Sequence, residues 1–153
     1  MSNEKKLAFI IWRLAFSKKR LAAILHSFST SSMMRLSFKD LKVWQKGIDL
    51  VDFVYEVTAV FPASELYGLT SQSRRSAVSI PSNIAEGSQR TSDKEFAHFV
   101  LIAKGSLAEL YTQMTIAKKR GFLNVDREKH TFDQMSELDK MMYVFYSKLI
   151  ANR

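Results

Sequence analysis

Phe96, Val100, Ala103, Leu107, Leu110, Met114 and Ala117 follow one another at alternating steps of four and three residues. An α-helix turns once in about 3.6 residues, so these side chains fall on a single stripe of a single helix. A strand exposes alternate residues on alternate faces and cannot gather them. Such a stripe must be covered by further secondary structure. No stretch of the chain alternates with period two for long enough to supply a sheet. The covering elements are therefore expected to be helices, and the chain all-α.

Both ends of this helix are also legible. Ser92-Asp-Lys-Glu95 is a capping box, in which the serine hydroxyl satisfies a free N–H of the first turn. At the other end, Lys118, Lys119 and Arg120 complement the negative end of the helix dipole, and Gly121 can take the left-handed turn that ends a helix. Phe122 is placed for the apolar contact that accompanies such a stop.

Three more helices are expected. Ser37-Phe-Lys-Asp40 resembles a capping box with Asp in place of Glu, and Leu41, Trp44, Ile48, Val51 and Tyr55 form an apolar row reaching about Val60. Phe61-Pro62 ends that helix. A second begins between Ser64 and Thr70 and ends at Gly87, with Leu69, Ser73, Ser76, Ile80 and Ile84 inward. Its small residues let a neighbour approach closely. After Asn124 as N-cap, Met135, Leu138, Met142, Phe145 and Leu149 share one face of the last helix. Short connections make an antiparallel up-and-down four-helix bundle the expected packing. Phe53, Val54 and Val57 on the first helix, and Met141, Tyr143 and Val144 on the fourth, lie outside these rows. Either the core-facing surface is wide, or a second stripe forms a subunit interface.

At 153 residues, the chain suffices for one domain with a real core. It has no cysteine, which excludes disulfides, thiolate zinc sites and cysteine nucleophiles; a reducing compartment fits that absence without being required by it, and a cytoplasmic setting is the expectation. The net charge of +8 is unevenly spread. Residues 1–35 hold seven Lys or Arg against Glu4, whereas residues 36–153 hold sixteen against fourteen acids. The chain thus reads as a basic N-terminal extension, 1–35, and a nearly neutral bundle domain, 36–153. In the extension, the apolar run Leu7–Trp12 stops at Arg13, short of the ~20 residues that span a membrane. A disordered extension, a start codon really at Met33 or Met34, a transit peptide and a basic surface-lying helix all remain open. No integral membrane association is expected.

Phe38-Lys-Asp-Leu-Lys-Val-Trp44, Gln72-Ser-Arg-Arg75, Ser79-Ile-Pro-Ser-Asn-Ile-Ala-Glu-Gly87 and Ala103-Lys-Gly-Ser-Leu-Ala-Glu-Leu110 occur in this order. Together they resemble the bacterial four-helix-bundle family named for 23S ribosomal RNA intervening sequences. The resemblance runs from about Leu36 to the C-terminus. That family is similar in fold to the accessory protein of diversity-generating retroelements, a pentameric bundle that binds nucleic acid and a reverse transcriptase. The resemblance implies a homopentamer and contact with RNA or DNA, and it implies no enzymatic activity.

Within the Ser79–Gly87 stretch, Pro81 has no N–H to offer the carbonyl of Ala77 and costs about 3 kcal/mol in a regular helix. Glu86 near the helix end opposes the dipole unless a cation neutralises it. The reading is a structural corner: Pro81 kinks the helix, Gly87 reverses the chain, and Asn83 and Glu86 hold the bend by hydrogen bonds. Ser79 or Ser82 is available for the backbone groups that the proline frees.

No catalytic constellation or metal site emerges. Glu95 and His98 have the spacing of half a di-iron site, but there is no second Glu-x-x-His. Glu109 and Glu137 lack anything to bring them together as acid and base. No cofactor is expected. The dense basic clusters of the bundle are Arg74-Arg75 and Lys118-Lys119-Arg120, the candidate nucleic-acid contacts. Repetition around an oligomer would turn them into a basic ring. The expected function is therefore a non-enzymatic, oligomeric RNA-binding accessory protein. The alternative is a scaffold that docks a partner protein or enzyme through its apolar face.

Overall fold

The computed structural model of the protein describes residues 37–151. Four α-helices carry the fold: α1 (Lys42–Thr58), α2 (Ser71–Ser88), α3 (Asp93–Lys119) and α4 (Val125–Ala151), with no strand among the described residues. They belong to one compact unit. α2 packs most extensively on α3, α1 touches α2 and α4, and α4 closes against α3, which makes a four-helix bundle. The expectations for residues 1–35 concern a segment outside the described residues.

The heptad row of α3 is buried throughout, from Phe96 to Ala117. It meets Ile80 and Ile84 of α2, Leu50 and Val54 of α1, and Met135, Leu138 and Met142 of α4 in one apolar core. Fully burying a side chain of this size contributes about 1.5–3 kcal/mol. Phe145 and Leu149 of α4 sit partly buried at its edge.

The inward face of α1 differs from the expected row. Val43, Gly47, Leu50, Val54 and Val57 are buried, whereas Trp44, Ile48 and Val51 lie at the rim and Tyr55 is exposed. The helix is thus turned by one residue, about 100°. Gly47 lies on the buried face. A Cβ there would stand 3.4 Å from Cβ of Pro81, so the bare backbone of α1 settles against the proline of α2. Val54 and Val57 therefore belong to the core and to no separate stripe.

The helix ends follow their local chemistry. Ser92 Oγ accepts from Glu95 N at 3.2 Å, and Asn124 Oδ1 accepts from Arg127 N at 2.9 Å. Gly121 has φ +74°, with its N–H bonded to the Lys118 carbonyl and the Phe122 N–H bonded to the Ala117 carbonyl, each at 2.9 Å. That is the Schellman pattern, and Phe122 packs on Phe61, beyond α1, at 5.5 Å between ring centres. The start of α1 departs from expectation. Ser37 caps only a 3-10 turn, Phe38–Asp40; Leu41 is extended, and the α-helix begins at Lys42. Gln45 Nε2 bridges back to the Lys39 carbonyl at 2.8 Å and ties the turn to the helix. Before α2, turns at Ala63–Glu65 and Leu66–Thr70 bend through Gly68, and Glu65 Oε2 accepts from Leu69 N at 3.0 Å.

One role assigned to the corner needs correction. α2 runs through Pro81 and closes at Ser88, one residue past the expected end at Gly87. Gly87 has no positive φ and does not reverse the chain. It is needed for proximity: a Cβ there would lie 2.6 Å from Cβ of Phe99 and 2.7 Å from Cδ2 of Phe96. The chain turns afterwards, over residues 89–92.

Candidate functional site

The two basic clusters border the C-terminal end of α1. Arg74 is half-buried there, its Nε donating to Thr58 Oγ1 at 2.8 Å and its guanidinium 4.6 Å from the Tyr55 ring centre. The other cluster reaches the same end of α1 through the Phe122–Phe61 contact. Their members are not equivalent. Arg74 is occupied in clasping α2 to α1, and Lys118 pairs with Glu128 of α4 at 2.5 Å. Arg75, Lys119 and Arg120 are exposed, and among the described residues none has a side-chain partner.

The corner residues make short-range bonds. Asn83 Nδ2 donates to the Ser79 carbonyl at 2.7 Å and to Ser79 Oγ at 3.0 Å, and Ser82 Oγ donates to the Val78 carbonyl at 2.8 Å. Glu86 pairs with Arg90 one turn on, so a cation does offset its charge at the helix end.

Asn83 also opens a polar network along the seam between α2 and α3. Ser79 Oγ accepts from Ser106 Oγ at 3.0 Å. Ser76 Oγ donates to Glu109 Oε2 at 3.2 Å and accepts from Gln113 Nε2 at 3.0 Å. Around these groups lies a cleft of about 460 Å³, lined by Gln72, Arg75, Ser76, Ser79, Ser106, Glu109 and Gln113. Ser73 Oγ and Gln113 Oε1 beside it are buried without a hydrogen-bond partner, each a cost of about 1–3 kcal/mol. Sequence reasoning noticed the small serines of α2 and missed the cleft. Its signal is the three-residue spacing Ser73, Ser76, Ser79 facing Ser106, Glu109 and Gln113 at steps of three and four.

Glu109 and Glu137 are not brought together. Glu109 bonds to α2, while Glu137 pairs with Lys46 of α1 at 2.6 Å. Glu95 serves the cap of α3; Ser92 and then Thr91 donate to its carboxylate and hold it below the usual carboxylate range. His98 is exposed beside Phe99. Among the described residues, no three His, Asp or Glu side chains gather to hold a metal ion. None of the described helices is long and apolar enough to cross a membrane.

The model of the 23S rRNA-intervening sequence protein family matches residues 39–144. The chain belongs to that family. The match includes all of α2 and α3, and hence Arg74, Arg75, the whole seam and Lys118–Arg120. A comparison with curated proteins gives no match.

Proposed function

We propose that the protein is a non-enzymatic, oligomeric accessory protein that binds RNA through the basic end of its bundle. Arg75, Lys119 and Arg120 carry the reading: exposed cations without a side-chain partner among the described residues, near one end of α1, suit phosphate oxygens. Arg74 and Lys118 then serve mainly to hold the surface together. An antiparallel, up-and-down course of α2 and α3 is supported by their contacts. Ser76 meets Glu109 and Gln113, Ser79 meets Ser106, and Gly87 faces Phe96 and Phe99, so ascending numbers meet descending ones.

Self-association has support in exposed apolar side chains: Leu101 and Ile102 on α3, and Tyr143 and Val144, 63% and 53% exposed, on α4. A pentamer is the state the family resemblance implies. A bundle domain of 36–153, a separate 1–35 extension and a cytoplasmic setting complete the proposal.

The test uses a protein starting at Met34, which removes the basic extension, and measures anisotropy of a labelled RNA across a salt series. Replacing Arg75, Lys119 and Arg120 with glutamine should weaken binding to many sequences alike and lower the log–log salt slope by about 0.7 per lost single-strand phosphate contact. Absence of binding to RNA and DNA at low salt would reject the reading. The second reading, a scaffold for a partner protein, then gains. It is favoured by an apolar groove where Leu41 and Val43 of the α1 region meet Met141, Val144 and Phe145 of α4.

A further inference from the structure

The cleft between α2 and α3 has a chemistry that phosphate binding alone does not use. At its edge stands Arg75, a cation without a partner among the described residues. Across it stands Glu109, whose carboxylate receives one hydrogen, from Ser76, at Oε2. A carboxylate offers about four acceptor positions, so Glu109, an exposed residue that lines the cleft, has capacity left for a donor. A matching ligand must therefore present an anion to Arg75 and a hydroxyl or N–H donor to Glu109.

A nucleic-acid base is a poor fit, because none of the residues lining the cleft is aromatic, and its one guanidinium, on Arg75, is the group that an anion would occupy. A phosphate alone leaves Glu109 unmatched and repelled. A ribose with its adjoining phosphate meets both requirements: the phosphate takes Arg75, and the 2′-hydroxyl donates to the carboxylate. The cleft's 460 Å³ leaves ample room for one such unit.

We propose that this cleft is a ribose-reading site, in which Glu109 accepts the 2′-hydroxyl of an RNA strand whose neighbouring phosphate is held by Arg75. The proposal rests on the nucleic-acid reading above and adds to it a preference for RNA over DNA. DNA lacks the donor, so on DNA the carboxylate remains unpaired beside a phosphate.

The experiment compares the full chain with its Glu109→Leu and Arg75→Gln variants. Probes are an unstructured single-stranded oligoribonucleotide, its 2′-deoxy counterpart with the same bases, and its 2′-O-methyl form. The wild type should bind the ribose probe roughly tenfold tighter than either analogue, the size expected of one charge-assisted hydrogen bond. Glu109→Leu should erase that ratio while retaining DNA binding. Arg75→Gln, a change at an exposed side chain that leaves the helix intact, should weaken binding to all three probes and keep a measurable ratio. Equal wild-type affinity for the three probes overturns the ribose site and leaves RNA binding standing. A ratio that survives in Glu109→Leu also overturns it. Absence of binding to any probe removes both the site and the reading beneath it.

Discussion

Gly87 and Gly105 both lie inside helices, and their surroundings separate them. Around Gly87 a methyl group would be 2.6 Å from Phe99 Cβ, while around Gly105 nothing stands within 4 Å. Gly87→Ala should therefore destabilise by about 1–3 kcal/mol, despite the better helix propensity of alanine. Gly105→Ala should stabilise by about 1 kcal/mol, since it gains propensity and meets no neighbour. Chemical denaturation of the two variants checks the pair, and equal effects would contradict the close approach at Gly87. Glu95 illustrates a different residue-level effect. The Ser92 hydroxyl, then that of Thr91, keeps its folded-state carboxyl below the ordinary value. The unfolded chain holds the proton more readily, so this stabilisation is complete above the unfolded value and is lost as pH falls through the folded one. Ser92→Ala should lower stability at neutral pH by about 1 kcal/mol, the usual worth of an N-cap. Its stability should also fall less steeply on acidification, as read by melts between neutral and acid pH.

At the scale of elements, the α1–α2 pair depends on two unlike contacts. One is the seat of Pro81 on Gly47; the other is Arg74, which bonds Thr58 and lies over Tyr55. Proline costs α2 a hydrogen bond to the Ala77 carbonyl, yet it is fully within the helix and buried. Arg74→Gln should act on stability before it acts on binding, with a loss of about 1–2 kcal/mol from the hydrogen bond and the cation–π contact. A cycle with Thr58→Val would show the two changes to be less than additive. Additive losses would place the Arg74 contribution elsewhere. Ion pairs such as Lys46–Glu137 and Lys118–Glu128 join the helices at their outer edges, where a pair is worth about 0–1 kcal/mol. They align the bundle more than they stabilise it.

For the whole molecule, Tyr143 and Val144 on α4, with Leu101 and Ile102 on α3, are exposed apolar side chains that a subunit interface would cover. Light scattering coupled to size exclusion at tens of micromolar should find a closed oligomer, with five subunits as the expected number. A strict monomer would reject the interface, and a dimer would keep it and reject five-fold symmetry. A protein beginning at Met34 should unfold at nearly the same temperature as the full chain. A large drop would show that residues 1–33 support the bundle.

The number of helices, their breaks, and the caps at Ser92, Gly121 and Asn124 could be read from the sequence because each depends on residues within a turn or two of one another. The inward row of α3 was legible for a related reason: that helix has a continuous apolar row that outweighs every competing one. α1 is apolar on two adjoining rows, Trp44-Ile48-Val51 and Val43-Leu50-Val54, and periodicity cannot rank them. Contact between Gly47 and Pro81, thirty-four positions apart, decided that orientation. The same holds for Gly87, whose lack of a side chain looked like a turn signal until Phe96 and Phe99 were placed against it. The seam went unread because its serines, Glu109 and Gln113 are individually ordinary helix residues. Only the packing of α2 on α3 sets their polar atoms face to face and leaves a cleft between them.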